Sequence, residues 1–159
     1  MNSTKTSRGI AVALVAAVSL LQGAPVLAEV VASEGWARAS VPGAKEGAGY
    51  LVLTNKGDED AKLLAITTSI CDKVMIHRST IDSQGVSRMW PVAKLEIAPG
   101  ETVRFDPSIL HIMFFDIPKP FVAGQKVPLR LIFEGQPALN VQLEVRPLVP
   151  AATVEHAQK

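Results

Sequence analysis

Cysteine is nearly absent from this chain: Cys71 stands alone among 159 residues, so no disulfide can form within it. Stability must come from the core, and Cys71 reads as a small buried hydrophobe. With no second cysteine, thiol–disulfide chemistry is also excluded. An excess of one charge is missing as well, with 16 basic against 15 acidic side chains. Such a near-neutral chain lacks the electrostatic footprint of a nucleic-acid binder. No segment carries a helical period of normal length, and no internal repeat is present. The longest apolar run, Ile10 to Leu21, is too short to span a membrane comfortably.

That run reads instead as part of an export signal over residues 1–28. Lys5 and Arg8 precede it, and Val26-Leu27-Ala28 places small residues where a signal peptidase cuts. Glu29 is then the first residue of the mature protein. No cysteine follows the cut, which argues against a lipid anchor. Without the signal the chain has 14 basic and 15 acidic residues. No membrane span is expected in the mature chain, and the expected state is a monomer.

The remainder is short-period and often punctuated, which is the pattern of strands. Strands are predicted at Val30–Ala39 (with Trp36 and Arg38 on one face), Ala48–Asn55, Leu63–Ile66, Lys73–Ile81 and Val86–Pro91. Others follow at Leu95–Ile97, Thr102–Phe105, Leu110–Ile117, Val127–Phe133 and Leu139–Val145. Pro99-Gly100, Asp106-Pro107-Ser108 and Glu134-Gly135-Gln136-Pro137 mark turns between them. Strands at this spacing predict a single all-β domain, a Greek-key β-sandwich or barrel, over residues 29–147. The Pro- and Ala-containing residues 148–159 read as a loose C-terminal tail.

What the sequence does concentrate is soft metal-binding capacity. Two of its three histidines and three of its four methionines fall between Met75 and Met113, and the fourth methionine is Met1. Imidazole nitrogen with thioether sulfur suits Cu(I), and suits zinc, magnesium or calcium poorly. Strand geometry sharpens the pattern, because residues two apart share a face. His111 and Met113 project together, and so do Met75 and His77. Met89 joins His77 only if the intervening hairpin loop has an odd length. Ser83 to Gly85 would provide it, with Gly85 in the left-handed position of a bulged turn. Taken singly, each histidine reads as hydrogen-bonded structure and each methionine as core filler. Met75 keeps that reading as an apolar neighbour, and His156 in the tail is incidental.

The order His77, eleven residues, Met89, twenty-one residues, His111, one residue, Met113 resembles the motif of the PCuAC family of periplasmic copper chaperones. Trp36-Ala37-Arg38, Pro42-Gly43, Gly49-Tyr50, Thr54-Asn55, Gly85-Val86, Pro99-Gly100-Glu101 and Leu110-His111-Ile112-Met113 are similar to that family too. The resemblance implies a cupredoxin-like β-sandwich holding one Cu(I) per chain through His77, Met89, His111 and Met113. It also implies a carrier and not an enzyme. The recipient would be the CuA site of cytochrome c oxidase, reached directly or through a thiol-containing partner. Arg78 and Ser87 stand where many members carry methionine, and the tail lacks the dense His and Met of some.

Other readings are open to the same residues. A blue-copper electron carrier needs a cysteine near its second histidine, whereas Cys71 precedes His77. A copper oxygenase built on an N-terminal histidine does not fit Glu29. Copper buffering would use the same ligands as delivery. A non-metal β-sandwich interaction module would leave His77 and His111 separately hydrogen-bonded.

Overall fold

A computed structural model describes residues 29–148. The predicted export signal and nearly all of the predicted tail lie outside them. Ten strands form, at β1 (Val30–Arg38), β2 (Gly47–Asn55), β3 (Ala61–Thr67), β4 (Lys73–Ile81) and β5 (Ser87–Val92). The others are β6 (Leu95–Ile97), β7 (Thr102–Arg104), β8 (Leu110–Phe115), β9 (Lys126–Phe133) and β10 (Leu139–Arg146). The predicted all-β class holds. Several strand ends shift by one or two residues, and one shift has a clear local cause: the eighth strand stops at Phe115, because Asp116 takes a positive φ of 54° and breaks the ladder. Ile117 then donates its N–H to Lys45 O instead of continuing the strand.

The strands make one sheet in the order β5-β4-β8-β2-β1-β10-β9-β3-β6, with β7 paired beside β8 on β2. Its two edge strands, β5 and β6, are joined by only Ala93 and Lys94. The sheet therefore curls back on itself into a nearly closed sandwich. β8 is inserted between β4 and β2, and β1 pairs in parallel with β10. Neither arrangement is a hairpin, and both are crossovers of the Greek-key kind.

The core lies inside the curl. Leu51, Leu53, Leu63, Ile112, Phe114 and Leu143 are essentially inaccessible to water. Asn55 is one of two buried polar residues among those described, and it is satisfied. Its Nδ2 donates to Glu59 O at 2.7 Å and Ile97 O at 2.9 Å, while its Oδ1 accepts the Gly57 N–H at 3.0 Å. These bonds fasten the charged turn after β2 to β6, so the side chain needs no water.

Several residues of the quoted motif prove to be packing devices. Trp36 lies on Tyr50 with ring centroids 4.3 Å apart, and the Arg146 guanidinium sits 5.3 Å from the Trp36 ring. Gly49 lets β2 approach its neighbours, since a Cβ there would lie 2.6 Å from Leu143 Cδ1 and 3.1 Å from Phe114 Cε2. Gly49→Ala is therefore expected to overpack the core and destabilise the domain by about 1–3 kcal/mol. The check is a lower denaturation midpoint with an unchanged dependence on denaturant.

Candidate metal centre

The register of β4 against β8 decides where the histidines and methionines meet. His77 pairs directly with His111, and Met75 pairs directly with Met113. No bulge interrupts this ladder, so every odd-numbered residue of the two strands points to the same outer face. The even-numbered residues point inward, and Ile76, Ile112 and Phe114 are buried there. The two imidazoles lie edge to face with centroids 6.1 Å apart, and Phe115 packs 5.8 Å from His77. Lys73 caps the Phe115 ring at 4.7 Å.

The β4–β5 hairpin brings in Met89. Asp82 donates its N–H to Val86 O at 3.0 Å, and Gly85 donates to Asp82 O at 2.9 Å. The loop is thus Ser83 to Gly85, with Gly85 at φ 78°. The Asp82 carboxylate fastens the turn by accepting the N–H groups of Gln84 and Val86 and the Arg88 Nε–H. Those bonds hold its acid below the ordinary carboxylate range, the Val86 N–H contributing most. The outcome is the odd loop required: Met89 pairs with Ser79, one step along the same face from His77. Residue 78 falls on the other face of β4.

A second Asp turn delivers His111. The Asp106 carboxylate accepts the Ser108 and Ile109 N–H groups and the Ser108 hydroxyl, and the Asp106 N–H donates to Leu110 O. Asp106-Pro107-Ser108 is therefore a locally bonded turn that starts β8 at a fixed residue. His77, Met89, His111 and Met113 are brought onto one face of three adjacent strands. They differ in access: His111 is 6 % exposed, His77 and Met113 are half-buried, and Met89 is 59 % exposed.

His111 is the unusual member. Its Nδ1 is buried with no hydrogen-bond partner, the only such side-chain atom among the described residues. A buried polar atom left unpaired costs free energy and calls for an explanation. A neutral imidazole nitrogen with no proton donor nearby is what a soft cation needs. Burial pushes the His111 ring below the ordinary histidine range, and the neighbouring His77 adds to this, against a smaller opposing effect of Asp106. The ring is neutral and able to coordinate at neutral pH. Among the described residues no three His, Cys, Asp or Glu side chains converge on a possible metal position. The donors beside the two imidazoles on this face are the thioethers of Met75 and Met113, and such sulfur suits a soft ion.

Cys71 stands apart from the face. It is half-buried rather than buried, in the turn before β4, where it packs against the core. Its thiol contacts Lys73 O at 3.5 Å, and burial pushes its pKa up. A raised pKa disfavours the thiolate that metals and disulfides require.

The depressed pKa of His111 fixes the sign of a pH effect. Above the ordinary histidine pKa of about 6.5 the ring is neutral in both folded and unfolded chains, and its contribution to stability is fully present. As the pH falls below that value the unfolded chain takes up the proton first, and stability is lost until the folded ring protonates too. Apo-protein denaturation across this range should show that loss, and His111→Leu should remove its His111 part.

The amino-acid sequence matches the LpqE-like lipoprotein family over residues 30–145. Among curated proteins, none matches it. Several solved structures share its architecture. The copper-bound PCuAC domain from PmoF2 superposes with a TM-score of 0.63 at 18 % identity, over 75 % of this chain and 93 % of that one. Two solution structures of DR1885 from Deinococcus radiodurans each give a TM-score of 0.58. The Cu(I) form is 28 % identical, covering 79 % of this chain and 81 % of that one. The apo form is 25 % identical, covering 94 % and 98 %. The expected resemblance is thereby met in the fold, and the family match covers nearly all of the described residues. This chain belongs to the LpqE-like family, and its domain is built on the PCuAC fold.

Proposed function

We propose that this protein binds one Cu(I) through His77, Met89, His111 and Met113 and carries it as cargo to a receiving protein. The observation that supports this most directly is the partnerless nitrogen of His111, held neutral on the face it shares with His77, Met113 and Met89. Two imidazoles and two thioethers give Cu(I) a full set of neutral donors. Thioethers, unlike thiols, are not consumed by disulfide formation in an oxidising compartment. The role is that of a carrier in the periplasm, reached by export through residues 1–28, and not of an enzyme. The copper-bound PmoF2 domain and Cu(I)-DR1885 support the cargo assignment by their fold and bound metal.

The graded access of the donors favours delivery over storage. Met89 lies on edge strand β5 and is mostly exposed, whereas His111 is buried. A receiving site can displace an exposed thioether first and take the metal by stepwise exchange. We propose the CuA-bearing subunit of cytochrome c oxidase, or a thiol-containing intermediary, as the recipient. A thiolate ligand is a stronger donor to Cu(I) than the thioether it would replace.

The test is a Cu(I) titration of the residue 29–159 chain against a chromophoric chelator, beside a His111→Ala/Met113→Ala double variant. One tight equivalent is expected in the native chain and none in the variant. A native chain that leaves the chelator loaded would sink the proposal. His111→Leu separates binding from folding: copper binding should fall, while apo stability holds or rises by up to about 1 kcal/mol as the unpaired nitrogen is removed.

A further inference from the structure

Met75 is the one methionine of the described residues outside the ligand set above. Its sequence position, two residues before His77, reads as apolar packing, and it does line a small cavity with Leu64, Ile66 and Val92. The register gives it a second character. Met75 is directly opposite Met113 on the β4–β8 ladder, on the same face as the two histidines. Cα atoms of directly opposed residues in an antiparallel pair lie roughly 4.5–5.5 Å apart. Met89 is placed differently. It pairs with Ser79, so it lies one step from the histidine pair in the direction away from Met113. At about 3.3 Å of rise per residue, Met89 and Met113 are separated by about 13 Å along the strands. The compact group of soft donors is therefore His77, His111, Met75 and Met113, two from each of two adjacent strands.

We propose that Met75 is a further thioether ligand of the copper site, forming with His77, His111 and Met113 an inner set to which Met89 is the exposed alternative. This rests on the copper reading above. The two sets share both imidazoles and Met113 and differ in one sulfur. Met75 is half-buried and Met89 is exposed, so exchanging one thioether for the other moves the cation from an enclosed position toward the protein edge. The exchange is a ligand substitution at constant oxidation state, and no proton or electron is required. The long, unbranched side chain of methionine lets its sulfur follow that motion.

The experiment compares Cu(I) binding by the native chain, Met75→Leu and Met89→Leu through chelator competition. It is paired with carbon-13 spectra of the methionine ε-methyl groups of the native chain. Leucine conserves volume and polarity, so the fold should be kept. Met75→Leu is expected to weaken Cu(I) binding at least tenfold, and the Met75 methyl should shift with that of Met113 when copper is added. Tight native binding with unaltered affinity in Met75→Leu and an unmoved Met75 methyl would overturn the inference and leave the copper reading intact. No binding by the native chain would overturn both. The methyl spectra need only the native protein, so a Met75→Leu chain that fails to fold still leaves a decisive result.

Discussion

Everything at the metal face depends on the pairing of β4 with β8. Because side chains alternate, a slip of one residue would send His111 and Met113 into the core and bring Ile112 out. What prevents the slip is the inner face: Ile76, Ile112 and Phe114 are buried by the curled sheet, and their burial would be lost. Apolar area on one side of the strands thus fixes which donors meet on the other. The histidines contribute little to this register themselves, and a buried imidazole without a partner opposes folding.

That opposition is informative about selection. A domain tuned for stability alone would carry an apolar residue at position 111, where the ring is almost wholly enclosed. Instead it keeps a neutral nitrogen ready in a dry position while surrounding it with donors that do not compete for it by hydrogen bonding. Local strain in the free energy of the apo-protein then becomes affinity when a soft cation arrives. The neighbouring turns show the complementary strategy, since Asp82 and Asp106 satisfy their own loops and leave little slack in where β5 and β8 begin.

Much of this was legible in residues close together in sequence. The hairpin loop at Ser83 to Gly85, the face shared by His111 and Met113, and the turn at Asp106-Pro107-Ser108 all follow from short-range chemistry. The class of fold follows from strand spacing. What could not be read was long-range. Nothing in a single strand says that β8 is inserted between β4 and β2, and so nothing local says that Met75 faces Met113. The unpaired His111 nitrogen is likewise a property of its surroundings in the fold. The sequence places the end of β8 at Ile117, but the backbone already turns at Asp116.

The parallel pairing of β1 with β10 has a consequence for how the protein comes into being. The first strand of the domain lies between β2 and the last strand, with Trp36 beside Glu144 and Arg38 beside Arg146. A chain emerging from its N-terminus can close hairpins such as β4–β5 early, but the sheet lacks a central neighbour for β1 until Arg146 has appeared. Pairing across so many intervening residues closes a long loop and is slow. The sheet around β1 is therefore complete only once β10 is available, whatever lies beyond it.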